Sequence, residues 1–216
     1  MNVSLSSRLR PEDRLSLGAV PPGSSLIYRL PSITERLDVG ALFAVRQPLD
    51  VELGSGDGSF LTEYAARHPE RNFVGVERLL GRLRKLDRKG LRAGLKNLRL
   101  LRLEASYVIK YLLPHDSVRV FHVYFPDPWP KRKHRKNRLV NEHFTVMACC
   151  ALEPRGIVYL RTDDADYFGQ MNTVFGANVN FRPIDTPQEL ASIVTDFERE
   201  FNQRGINTLR AAYQRA

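Results

Sequence analysis

Val51-Glu52-Leu53-Gly54-Ser55-Gly56-Asp57-Gly58 closes an apolar run and opens a helix, the strand-turn-helix start of a βαβ unit. Glycines at alternate positions permit positive φ and let backbone N–H groups come close to a ligand. The helix start beyond them presents further unsatisfied donors. Working outward, the apolar pattern predicts a strand ending at Leu53, a helix over 59–68, a strand over 72–77 and a long basic helix over 79–95. A strand at 98–103, a helix at 107–112, a strand at 118–125, a helix at 140–152, a strand at 156–161 and a helix at 167–175 follow. The tail reads as a short helix broken at Gly205, then an edge strand over 208–213. Strands alternating with helices through short links give βαβ units. The expectation is an α/β, Rossmann-like fold with a mostly parallel sheet, helices on both faces and ligands at the carboxyl ends of the strands.

The turn's spacing separates two cofactor classes. A dinucleotide site wants G-x-G-x-x-G, whereas this turn is G-x-G-x-G with Glu52 two residues before the first glycine. A pyrophosphate would be repelled by Glu52, while a ligand carrying an ammonium and a sulfonium would be attracted, and S-adenosylmethionine is such a ligand. Gly54 and Gly56 would offer main chain to it. Glu77, ending the second strand, stands where a carboxylate takes ribose hydroxyls, and Glu104 ends the third strand near the expected adenine edge.

Phe125-Pro-Asp-Pro-Trp-Pro-Lys-Arg-Lys-His-Arg-Lys136 carries the second signal. Prolines on both sides of Asp127 and at Pro130 fix φ and remove donors, so the strand delivers a stiff loop with Asp127 at its centre. Trp129, the sole tryptophan, either stacks on an extruded base or packs beside the strand. Lys131, Arg132, Lys133, Arg135, Lys136 and Arg138 form a block expected to meet phosphates, and His134 within it is expected to contact phosphate or sugar. The cations at Arg78, Arg82, Arg84, Lys85, Arg88, Lys89 and Arg92 recur at helical spacing and read as a wet helix face.

Composition fits this picture. A net charge of +9 over 216 residues implies an anionic partner, and 43% hydrophobic residues imply a folded chain. Residues 1–46 read as a basic N-terminal arm, and 47–216 as the ligand-binding domain. Cys149 and Cys150 are adjacent in an apolar segment and read as buried inert thiols. No histidine, cysteine or acid shows metal-ligand spacing, and no apolar run is long enough for a membrane span, so no metal, no membrane and a cytoplasmic location are expected.

Taken together, ELGSGDG, VGVE, FPDPWPKRKHRKNRL, RTDDADYF and TDFEREFNQRG resemble the tRNA (guanine-N(7)-)-methyltransferase family over most of the chain after Pro48. The resemblance implies a class I methyltransferase fold with a seven-stranded mostly parallel sheet and one reversed strand. It further implies S-adenosylmethionine as cofactor and methyl donor, and N(7) of a variable-loop guanosine in tRNA as acceptor. Carried over by position, it assigns Glu52, Gly54, Gly56, Glu77, Glu104 and Asp127 to the cofactor and Asp127 to catalysis. Lys131, Asp163, Thr195, Asp196, Phe197 and Glu198 fall to the substrate. The chain departs from the pattern with Glu at 104, where Asp or Asn is usual, and with Asn137 interrupting the basic run. It implies tRNA as partner, a monomer or homodimer, and no obligate protein partner. Two other readings stay open. Asp127-Pro128-Trp129 faintly resembles the loop of amino-methyltransferases, which act on adenine, cytosine or protein amides, and a non-catalytic RNA-binding protein could retain such a fold.

Overall fold

The structure, a computed structural model, describes residues 25–216; the first part of the expected arm, residues 1–24, lies outside the described residues. Seven strands form one sheet in the order β3-β2-β1-β4-β5-β7-β6. They are β1 Leu49–Leu53, β2 Asn72–Val76, β3 Leu98–Leu101, β4 Val118–Tyr124, β5 Leu152–Thr162, β6 Phe181–Ile184 and β7 Leu209–Arg215. Helices α1 Ser59–Arg67, α2 Leu80–Arg92, α3 Ala105–Tyr107, α4 Glu142–Ala151, α5 Ala165–Gly176, α6 Gln188–Ser192 and α7 Asp196–Gln203 intervene. Every residue of β1, β2 and β3 is buried, as in a parallel sheet covered on both faces.

Strands β1 to β5 pair in parallel, and β7 runs antiparallel to both β5 and β6, so one strand is reversed, as expected. The chain builds outward from β1 through β2 and β3, then returns to start again at β4. The switch point therefore falls between β1 and β4, above which a crevice opens. Two apolar layers seal the faces. One gathers Phe144, Tyr167 and Phe175 from α4 and α5; the other gathers Phe60, Leu61, Leu83 and Leu86 from α1 and α2.

Three expectations are corrected. Strand β7 is not an edge, because β6, which the sequence reading did not assign, pairs along its outer side. Cys149 and Cys150 are free thiols, half-buried and exposed, since Phe144, Ala148 and Ala151 are the residues α4 turns inward. Residues 25–46, grouped by composition with the arm, lie against the sheet. Tyr28 donates its N–H to the Leu100 carbonyl at 2.8 Å, Leu100 returns the bond to Leu26 at 3.0 Å, and Leu26, Leu37, Leu42 and Phe43 are buried.

Gly58 ends the turn at the start of α1 with φ +77°, and a Cβ there would come within 2.1 Å of Leu86 Cδ1. Both a left-handed backbone and a close approach to α2 exclude a side chain. Gly58→Ala is expected to lose about 2 kcal/mol of stability. A lowered denaturant midpoint with an unchanged slope would show this, and an unchanged midpoint would refute it.

Candidate active site

The crevice beyond the β1 and β4 ends has a volume of about 510 Å³ and is lined among others by Gly54, Glu77, Glu104, Phe125, Asp127 and Trp129. Gly54 and Gly56 adopt φ +88° and +55°. Beyond β2, Glu77 is buried and each carboxylate oxygen accepts a main-chain N–H, from Gly56 at 3.1 Å and Leu79 at 2.7 Å. Glu77 thus fastens the glycine turn to the start of α2. Glu104 is exposed and caps α3 by accepting from Tyr107 N at 3.0 Å.

Glu52 is 4% exposed and, among the described residues, its Oε2 finds no hydrogen-bond partner. Burial pushes its pKa up to about 8; the charge of Arg161 works against that rise, and Asp57 and Glu77 add to it. In Asp57 burial also works upward, but the hydrogen bond and charge of Lys89, 2.9 Å away, hold the carboxyl below its ordinary value. Lys89 also faces Asp196 at 3.9 Å, which draws α7 towards the turn.

The proline loop stands over the β4 end. Both flanking aromatics are left-handed, Phe125 at φ +50° and Trp129 at φ +44°. For bulky side chains this conformation costs on the order of 1–3 kcal/mol each, and it persists because the surroundings fix it. Arg138 is the fastener: its Nε donates to the Pro128 carbonyl at 2.7 Å, Nη1 to Gln170 at 2.9 Å and Nη2 to Asp166 at 2.6 Å. Its guanidinium lies 4.7 Å from the Tyr167 ring centre. Arg138 was expected to meet phosphate; buried at 2% exposure, it braces the loop from inside instead. Lys131 precedes and Arg132, Lys133, Arg135 and Lys136 occupy a 3₁₀ turn, all exposed, with Arg135 paired to Asp166 at 3.0 Å, and Trp129 is half-buried with its ring edge-on to His134 at 5.8 Å. Asp127 is exposed at the loop's centre.

The TDFE segment closes the other side. Thr195 and Glu198 form a reciprocal capping box at the start of α7, and Asp196 donates its N–H to Ser59 of α1 at 3.3 Å. Phe197 is exposed beneath the Arg82 guanidinium, 5.7 Å from its ring centre, and Phe201 reaches Phe125 at 5.8 Å. Glu198, expected among the substrate contacts, is fully buried. It bonds Arg161 at 3.0 Å and Arg210, so in this conformation its carboxylate serves the structure. Arg161 also donates to the carbonyls of Ile193 and Leu190 and lies 4.2 Å from the Tyr124 ring centre. Asp163 follows the end of β5, half-buried, directly before Asp164, the N-cap of α5.

The geometry thus unites a glycine turn, strand-end acids and a braced acidic loop at one switch point. A family model described as "Putative methyltransferase" matches residues 46–211. The tRNA (guanine-N(7)-)-methyltransferase of Alkalilimnicola ehrlichii is 32% identical, over 82% of this chain and 74% of its own. The chain belongs to the tRNA (guanine-N(7)-)-methyltransferase family. The family's enzyme from Nitrosomonas eutropha is 36% identical over 65% of this chain, which spans only 62% of that relative. Among solved structures, the 16S rRNA methyltransferase KamB superposes with a TM-score of 0.58 at 16% identity, covering 79% of this chain and 88% of its own, which is a likeness of fold. Arg138, which was expected to meet phosphate, and Arg161, to which no role was assigned, are the buried cations that brace the loop and the TDFE segment around this site.

Proposed function

We propose that this protein transfers the methyl group of S-adenosylmethionine to N(7) of a variable-loop guanosine in tRNA. The observation that carries the reading is Glu52, a buried carboxylate with an unpartnered oxygen beside a glycine turn, a site that asks for a cationic ligand. The N–H groups of Gly54 and Gly56 are not available to such a ligand, since they donate to the Val76 carbonyl and to Glu77, so these glycines offer it close approach to their carbonyls; Glu77 offers its remaining lone pairs to ribose hydroxyls, and Glu104 a contact at the adenine edge. The cofactor, when bound, supplies an electrophilic methyl group.

The acceptor nitrogen of guanine carries a free lone pair at neutral pH, so no side chain has to remove a proton before transfer. The work of the protein is positioning, which supplies several kcal/mol, up to about 7–11 in ideal cases. Asp127 accepts hydrogen bonds from the guanine Watson–Crick edge and stabilises the positive charge that develops on the ring. Lys131 and the exposed cations after it hold phosphate, while Asp163 and residues 195–198 frame the substrate. Buffered by these cations, tRNA affinity should fall steeply with salt. The test is incubation with labelled donor and unmodified tRNA followed by nucleoside analysis. Label in 7-methylguanosine supports the reading; label in a methylated exocyclic amine would favour the amino-methyltransferase alternative, and absence of label a binding protein.

Glu52 adds a pH dependence whose sign is fixed by its raised pKa. In the free protein burial holds its pKa up at about 8, and an ammonium group favours its charged form, so binding promotes release of its proton. Cofactor affinity is expected to rise with pH by up to tenfold per unit and to level off above about pH 8. Calorimetry in buffers of different ionisation enthalpy measures the released proton, which Glu52→Gln should abolish. The same enthalpy in every buffer would count against the carboxyl's role.

A further inference from the structure

A second groove, about 810 Å³ and larger than the cofactor crevice, lies on the far side of a wall made by Leu103, Glu104, Asn137 and Leu139, which line both. Two flat rings stand in it, Tyr107 and Tyr111, with centroids 4.9 Å apart. Tyr107 is fixed, since its hydroxyl donates to the Ile33 carbonyl at 2.7 Å. Tyr111 is 46% exposed, and Lys110 places its ammonium 4.9 Å from that ring's centre. Lys136, from the basic turn, lines the same groove.

An exposed ring beside cations, set apart from the crevice only by that shared wall, has the character of a single-strand nucleic-acid platform. Bases stack on aromatic faces whatever their identity, and cations follow the backbone. Extruding one nucleotide leaves its neighbour unstacked, and that neighbour needs a new face. Resting on the proposed tRNA-modifying function, we infer that this groove is a flanking-nucleotide subsite. A nucleotide adjacent in the RNA chain to the target guanosine stacks its base on Tyr111, with its phosphate held by Lys110 and Lys136.

The test uses the full chain, tRNA binding by fluorescence anisotropy, and steady-state methylation. Tyr111→Ala is expected to raise the tRNA Kd and KM about tenfold, with kcat and cofactor affinity unchanged, whereas Tyr111→Phe keeps the ring and the affinity. Lys110→Ala should lower the slope of log affinity against log salt by about 0.7–1. Two tRNAs, each with an abasic site on one side of the target, identify the stacked base: one of them should bind the native chain about tenfold more weakly, and Tyr111→Ala should then add nothing. Equal loss on Tyr111→Ala for all three tRNAs, or no loss for any, overturns the subsite. Because binding is read separately, a chain that binds through Tyr111 yet forms no 7-methylguanosine refutes the proposed reaction and leaves the subsite standing. Normal methylation with Tyr111→Ala indifferent refutes the subsite alone.

Discussion

Asp127→Asn is expected to lower kcat for tRNA methylation by about 10²–10³, the loss that follows removal of one preorganised electrostatic contact to a charged transition state. Amide for carboxylate keeps the shape of the loop's central residue and removes its charge. It also replaces one acceptor oxygen by a donor, which opposes the donors of the guanine edge. Asp127 is exposed and the loop is held by Arg138 through the Pro128 carbonyl, so folding stability should change by less than about 0.5 kcal/mol. Rates at saturating tRNA, with tRNA binding and melting temperature measured alongside, separate the cases. Turnover within a few-fold of the native chain would remove Asp127 from catalysis and return it to the role of a turn residue between prolines.

Glu198→Ala is expected to cost about 3–5 kcal/mol, since it leaves the guanidinium of Arg161 buried without its carboxylate. Arg161 is 1% exposed and Glu198 is fully buried, so solvent cannot compensate. The same change removes half of the capping box at α7 and the partner of Arg210. Against a typical stability of about 5–15 kcal/mol the loss is large. Chemical denaturation should show it as a lower midpoint. Hydrogen exchange should show α6 and α7 opening first, because Arg161 ties the Leu190 and Ile193 carbonyls to the sheet. A loss under about 1 kcal/mol would mean the pair is dispensable, and Glu198 would be free for a direct role with substrate.

How much of this was legible in the sequence depended on whether the signal was local. The glycine turn, Glu52 and Glu77 were readable because a parallel strand announces its end by composition, and the switch point then follows from chain order. The stiffness of the loop around Asp127 was written in its prolines. Strand β6 was not readable: four residues interrupted by Pro183 carry no strand pattern, and without β6 its neighbour β7 looked like an edge. The burial of Arg138, read as a phosphate contact, and of Arg161, to which no role was given, was not readable, since it depends on Asp166 and Glu198, 28 and 37 positions away. The sequence displays the charge of a long side chain and conceals which way it turns. For the same reason the groove at Tyr111 was invisible, being assembled from residues 33, 103–111 and 136–147.

The most direct measurement replaces the acceptor atom alone. A tRNA carrying 7-deazaguanine at the accepting position keeps the Watson–Crick edge offered to Asp127 but has carbon where the lone pair should be. The account predicts native affinity for this tRNA and no transferred methyl group. Methylation of it at any appreciable rate would place the reaction on another atom and contradict the account.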